Sequence, residues 1–287
     1  MNRKLAVAIP TCSHRREDIR IGYVLEALAM QPPSEHFDSL DVYVWDEGSV
    51  SMTADRWVGL MTDLLVIRGH SPTFLRRPPS RGVAAARRDL LASIPPEHKQ
   101  VLLVDDDLVP YPGAIDKLLS AAASVERYGF IQGTKVELDA NRMYVNDINQ
   151  LSQPSEDGTL RRLWFGDTAF LLVNRAALGH VRWDIVARFS EEGLPGEDVA
   201  MTLMIADREP CFGVPSAAGY HLSLSTPRWR WEVPSDLLQM ESLRNIVSAE
   251  TLALALPHLS KYIQGDLPCR VETSDITLRS KEGQNEC

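Results

Sequence analysis

Val101-Leu102-Leu103-Val104-Asp105-Asp106-Asp107 is the stretch on which the fold turns. Four apolar residues without polar alternation predict a strand buried on both faces, as in a parallel sheet covered by helices. Three adjacent carboxylates follow. They repel one another and cannot be buried unpaired. A divalent cation resolves that conflict, and oxygen ligands suit Mg²⁺ or Mn²⁺. The competing reading is a solvated acidic turn.

The same rhythm extends toward the N-terminus. Leu5 to Pro10 reads as a buried strand. Ile21, Val24, Leu25 and Leu28 recur at helical spacing, and Gln31-Pro32-Pro33 ends that helix. Asp41 to Trp45 predicts a second strand, closed by Asp46-Glu47-Gly48-Ser49. Leu64-Leu65-Val66-Ile67 predicts a third, followed by a Pro/Arg-rich loop and an alanine-rich helix from about Arg81 to Ser93. After Pro112 another helix turns Ile115, Leu118, Leu119 and Val125 inward. Repeated strand-helix-strand order implies an α/β, doubly wound sheet that binds ligands at the carboxyl ends of its strands. Three of the four expected strand ends are polar: Thr11-Cys12-Ser13-His14, Asp46-Glu47-Gly48-Ser49 and Asp105-Asp106-Asp107.

Beyond Tyr128 the pattern loosens. Residues 139–162 read as a polar loop, Ala169 to Val173 as a strand, and Gly196-Glu197-Asp198 as the opening of a helix through Ala206. A long amphipathic helix is expected over Ser235 to Leu256, with a polar tail after Asp275. No clean linker interrupts the chain, which favours one continuous domain.

The composition fits this. The chain has 287 residues, 44% hydrophobic and 24% charged, enough to bury a core without a disulfide or metal staple. Its formal charge of -9 argues against sequence-indifferent binding of nucleic acid or anionic membrane. Cys12, Cys211, Cys269 and Cys287 are scattered, with no zinc-type pair. No apolar run approaches membrane-spanning length. A reduced, cytoplasmic protein is the expectation.

Four further features bear chemistry. Arg76 to Arg88 is dense in arginine, whose planar fork suits phosphate. Arg87 lies on the helix beside Val83, Leu90 and Leu91, so it need not point into solvent. Paired acids at Glu197-Asp198 suit either a helix cap or a general base. His221 suits either a structural role or the completion of an Asp-bound metal. Trp164, Trp229 and Trp231 are stacking surfaces for a sugar or base, or core anchors.

Taken in order, these pieces resemble the GT-A fold nucleotide-sugar glycosyltransferases, family-2-like, from Leu5 to about His221. Val44-Trp45-Asp46-Glu47-Gly48-Ser49 stands in the place of V-x-D-D-G-S, and Arg81 to Arg87 looks like N-x-G-x-x-x-A-R. Asp105-Asp106-Asp107 looks like D-x-D, and Glu197-Asp198 looks like the E-D catalytic pair. The resemblance implies a Rossmann-like, mostly parallel sheet flanked by helices over residues 1–225, with a C-terminal helical extension over 226–287. Residues 1–127 would form the nucleotide half and 128–225 the acceptor half. It implies that Pro10, Thr11, Asp46, Glu47, Arg81, Arg87, Asp105 and Asp106 bind the nucleotide-sugar. Asp107, Asp105 and His221 would hold Mn²⁺ or Mg²⁺. Asp198 would be the base, with Glu197 the lesser candidate, and transfer would invert the anomeric centre. Trp164, Asp167 and Trp229 fall where acceptor contacts vary.

Glu47 departs from the usual second aspartate, and Arg81 from the usual Asn. No Q-x-x-R-W stretch of processive synthases is present. The expectation is a soluble, non-processive enzyme adding one sugar, with UDP the commonest donor nucleotide of the family and GDP or dTDP open. The acceptor is a hydroxyl of unassigned class, with a nucleic-acid base among the options. A phosphatase with Asp105 as nucleophile would carry its D-x-D on the first strand, and a pyrophosphorylase would need a glycine-rich loop there. A non-catalytic nucleotide- or partner-binding protein on the same fold is the remaining alternative.

Overall fold

A computed structural model describes residues 3–12, 20–139, 142–146, 159–191, 196–222 and 247–264. The first strand, β1 (Lys4–Thr11), lies between β2 (Ser39–Asp46) and β4 (Gln100–Val104), parallel to both. The edge strand β3 (Ser71–Arg76) pairs parallel with β2. The sheet continues from β4 through β9 (Phe170–Asn174), β6 (Phe130–Asp139) and β10 (Cys211–His221) to β5 (Leu108–Pro110). Two short strands hang on this path, β7 (Arg142–Asn146) on β6 and β8 (Arg161–Leu163) on β10. β9 is antiparallel to β4 and to β6, while β6 and β10 are parallel. Six of the ten strands among the described residues therefore point one way. This is the mostly parallel α/β sheet flanked by helices that the sequence implies.

Period-2 alternation divides the core between the two faces. Ala6, Ala8, Val101 and Leu103 point to one buried cluster, and Leu5, Val7, Ile9, Leu102 and Val104 to the other. The second face is covered by α1 (Ile21–Ala29), α2 (Arg56–Ile67) and α4 (Ala114–Ser124). The first is covered by α3 (Val83–Ser93), α5 (Trp183–Glu191), α6 (Glu197–Ala206) and α7 (Ala249–Gln264). Both faces of β1 and β4 are thus dry, which is why neither strand shows polar alternation.

Several sequence expectations need correction. Leu64 to Ile67 is the last turn of α2, not a strand. That helix starts at Asp55, whose side chain accepts from the Trp57 and Val58 amides at 2.9 and 3.1 Å. Val58 and Leu65 are buried one above the other on its inner face, a helical spacing that a four-residue apolar run conceals. The chain then reverses through Gly69, at φ +85, into β3. The stretch 139–162 is not loop throughout, since β7 and the start of β8 fall within it; residues 147–158 lie outside the described residues. β6, β10 and α5 are additional elements. The C-terminal helix begins at Ala249, because the Asp207 side chain accepts from the Ser248 amide at 2.9 Å and fixes the chain just before it. Residues 235–246 of the expected helix, and Trp229 and Trp231 ahead of it, lie outside the described residues.

Candidate functional site

Because β1, β2, β4 and β10 share a direction, their carboxyl ends meet at one edge. Thr11 ends β1, Asp46 ends β2, Asp105 to Asp107 follow β4, and His221 ends β10. The short strand β5 completes the arrangement. It pairs antiparallel with β10 so that Leu108 sits opposite His221, and the Leu222 amide donates to the Asp107 carbonyl at 2.7 Å. The acidic turn is thus fixed against the end of a strand more than a hundred residues away in sequence.

Alternation along the turn separates the three aspartates. The Thr11 hydroxyl donates to Asp106 Oδ2. Asp105 and Asp107 lie toward His221, and ligand atoms of Asp105, Asp107 and His221 all fall within 4.8 Å of one another. His221 Nε2 is 3.2 Å from Asp107 Oδ1, and Arg20 Nη1 is 3.2 Å from Asp107 Oδ2. Two carboxylate oxygens and an imidazole nitrogen at this separation form a donor set that fits a divalent cation.

The second pair of acids lies across Arg87. Gly196 adopts a left-handed backbone, φ +97, which L side chains rarely take, and so turns the chain into α6 with Glu197 and Asp198 in its first turn. Arg87, 6% exposed on α3, places Nη2 at 3.0 Å from Asp105 Oδ1 and Nη1 at 3.2 Å from Glu197 Oε1. One guanidinium fork therefore spans both acidic groups. The Asp198 carboxyl accepts only from its own neighbour, the Val199 amide, at 2.8 Å among the bonds described.

The charges explain the titration of the site. Burial raises Asp106 to about 7, with Asp107 adding to it and the Thr11 bond opposing. Burial, the adjacent Glu197 and then Asp167 raise Asp198 to about 8. Burial raises Asp105 as well, against the pull of Arg87. Asp107 moves the other way: burial works to raise it, but the hydrogen bond and charge of His221, then Arg20, hold it below the usual range. Asp167 is also held low despite burial, because Lys135 Nζ lies 2.5 Å from its Oδ2. Six acids (Asp105, Asp106, Asp107, Asp167, Glu197, Asp198) thus face three fixed cations, Arg20, Arg87 and Lys135. The recess has an appetite for positive charge.

The remaining predicted residues divide into bracing and near-site groups. Pro10 is buried beside Thr11 at the end of β1. Asp46 accepts from the Gly48 and Met52 amides at 2.9 and 3.2 Å and pairs with Arg76 at 2.7 Å, so it organises its own turn. Glu47 accepts from Trp45 Nε1 at 3.0 Å and from the Arg81 amide at 2.8 Å. The longer side chain at this position is what ties the turn after β2 to the start of α3. Arg81 and Arg88 both pair with Asp89, so within the arginine-rich segment it is Arg87 that reaches the acidic cluster. Asp167 is 7% exposed, with its oxygens engaged by Lys135 and the Ala169 amide, and it acts on the cluster as a buried charge. Trp164 packs against the core beneath the Arg162 guanidinium, 4.8 Å above its ring. Trp229 lies outside the described residues. Arg20 and Lys135 are the site residues that sequence reasoning missed. Arg20 follows the mixed-charge run Arg15-Arg16-Glu17-Asp18 and Lys135 sits two residues before Glu137, so neither stands out locally, and the spacing of Arg20 before the first helix gives no sign of Asp107.

The chain matches no protein-family profile and no curated protein. Among solved structures it is similar to a mannosyltransferase from Pyrobaculum calidifontis, determined in complex with GDP-Man and Mn²⁺, with a TM-score of 0.60 and 16% identity over 91% of this chain and 69% of that one. Two weaker likenesses are a mycobacterial protein (TM-score 0.47, 17% identity, 79% and 69% of the two chains) and A197 from STIV (TM-score 0.41, 15% identity, 77% and 85%). The first establishes a GT-A-like glycosyltransferase fold.

Proposed function

We propose that this chain is a metal-dependent glycosyltransferase that moves one sugar from a nucleotide-diphosphate sugar to an acceptor hydroxyl, with inversion. One observation carries the reading. At the carboxyl edge of a glycosyltransferase-type sheet, a three-ligand cation set and a proton-holding carboxyl meet across a single buried arginine. The solved neighbour, which binds GDP-Man and Mn²⁺, supports the same class of donor.

In this reading Asp105, Asp107 and His221 hold Mn²⁺ or Mg²⁺. Pro10, Thr11, Asp106 and the turn braced by Asp46, Glu47 and Arg81 form the nucleoside wall, within a nucleotide half over 1–127. The acceptor half extends over 128–225 and includes the segment around Trp164 and Asp167. The cation, when bound, neutralises the departing diphosphate. Glu197 is occupied by Arg87, which leaves Asp198 as the base. Asp198 takes the acceptor proton as the acceptor oxygen forms its bond to the anomeric carbon. The carbon–oxygen bond to the diphosphate breaks, and the nucleoside diphosphate leaves with the electron pair. No second acid is needed for so good a leaving group, and attack opposite to it inverts the centre. Asp198 must give up its proton first, and positive charge entering the recess favours that.

The test measures nucleoside diphosphate released from UDP- and GDP-sugars with and without Mn²⁺. One sugar nucleotide should be consumed only with the metal. Asp198→Asn should lower turnover by about 10²- to 10⁴-fold, the usual worth of a general base, while nucleotide binding persists. Near-normal turnover in that variant would remove Asp198 as the base. Hydrolysis of a simple phosphate ester without any nucleotide would overturn the reading.

A further inference from the structure

We propose that Arg20 determines how Asp107 ligates the cation, and through this selects a small octahedral ion over calcium. The inference rests on the cation site of the preceding section and adds a residue to it.

The two oxygens of Asp107 have different neighbours. Oδ1 is turned to His221, whose Nε2 lies 3.2 Å away, and His221 groups with Asp105 and Asp107 as a ligand set. Oδ2 is held by Arg20 Nη1 at 3.2 Å. Both side chains of the second pair are largely enclosed, 23% and 18% exposed, so water competes weakly for this charge-assisted bond. Arg20 is also launched from a fixed point. It immediately precedes α1, its carbonyl accepts from the Tyr23 amide at 3.0 Å, and the helix buries Ile21, Val24, Leu25 and Leu28 against the sheet. A guanidinium so placed pins one oxygen and presents the other to the ligand cluster.

A carboxylate with one oxygen pinned contributes one ligand atom. Calcium takes about 6–8 oxygens and readily uses both oxygens of a carboxylate, whereas Mg²⁺ demands near-octahedral single-atom ligation. His221 adds a nitrogen, which also suits Mn²⁺ better than Ca²⁺. Arg20 is therefore a positioning residue that acts through Asp107 and determines metal specificity.

The experiment measures Mn²⁺ binding to the whole chain from the electron paramagnetic resonance signal of free Mn²⁺, then titrates Ca²⁺ as competitor. Melting without metal shows that each variant is folded. The wild type should bind Mn²⁺ and yield it poorly to Ca²⁺. Arg20→Ala should shift the Ca²⁺/Mn²⁺ affinity ratio toward Ca²⁺ by about tenfold, the scale on which an outer-shell partner acts. Arg20→Lys should recover most of that shift, and Arg20→Gln, which keeps bulk but loses the charge, carries the test if the alanine variant does not fold. An unchanged Ca²⁺/Mn²⁺ ratio in Arg20→Ala, or in Arg20→Gln, would overturn the inference while leaving the proposed function intact. A wild type that binds no Mn²⁺ would overturn both.

Discussion

Asp198 sits half-buried beside Glu197, and its raised titration has consequences that can be measured without any substrate. An unfolded aspartate ionises near pH ~3.9, whereas the folded one does so at about 8. Between these values the native state binds more protons than the unfolded state, so this group lowers stability as pH rises through the window. Asp198→Asn removes that penalty. Its melting temperature should exceed that of the metal-free wild type by about 3–6 °C at pH 8, with the gap closing toward pH 4. The kcat/KM profile of the wild type should rise along a limb at or below about 8, since bound positive charge favours the carboxylate. Arg87 makes the opposite prediction. Arg87→Met leaves Asp105 and Glu197 without their shared cation and should cost about 3–5 kcal/mol, the usual penalty for removing one partner of a buried pair. Arg87→Lys should not restore it, because one ammonium lacks the fork that spans both acids. At this scale the sequence was informative where residue type and position coincided. Thr11, Asp105 to Asp107, Glu197, Asp198 and His221 all come to one edge. Arg20 and Lys135 were invisible because a salt bridge between distant elements leaves no local pattern.

The elements that place these side chains were legible in proportion to how fully they are buried. β1, β2 and β4 announce themselves as apolar runs, and α1, α3 and α4 by helical spacing. β3 is an edge strand carrying Ser71, Pro72 and Thr73, so its composition resembles a loop, while the apolar end of α2 imitates the missing strand. β10 is disguised by Gly213, Pro215 and Gly219 and by a register shift against β6 between Gly213 and Ala218. That irregularity positions His221, and Gly133 is the residue that permits it. A Cβ there would lie 2.2 Å from Phe170 Cδ1 and 2.7 Å from the Ala217 carbonyl. Gly133→Ala should therefore cost about 1–3 kcal/mol by overpacking and should weaken Mn²⁺ binding, although it touches no ligand. Urea denaturation and metal titration on the same preparation check both. A variant with wild-type stability and metal affinity would show that the β6–β10 contact has more freedom than the packing indicates.

Across the whole molecule, the acidic balance of the chain acquires a location. The net charge of -9 includes the six carboxylates at the sheet edge, and the arginine-rich segment that opposes it is largely spent on Asp46, Glu47, Asp89 and Asp105. Among the described residues no helix is long and apolar enough to cross a membrane. The two-faced core makes the sheet a rigid frame, and its carboxyl edge concentrates groups that would repel one another without added positive charge. A ligand that binds only the folded state raises its stability by mass action, so a cation and a nucleoside diphosphate should each stabilise this frame, and together more than separately. The most direct measurement is calorimetric titration of UDP and GDP into the wild type and Asp107→Asn, with and without Mn²⁺. A metal-dependent transferase requires that one nucleoside diphosphate bind the wild type only when Mn²⁺ is present, and that Asp107→Asn abolish that binding. Equal nucleotide affinity with and without the metal, or no affinity for any nucleoside diphosphate in its presence, would contradict it.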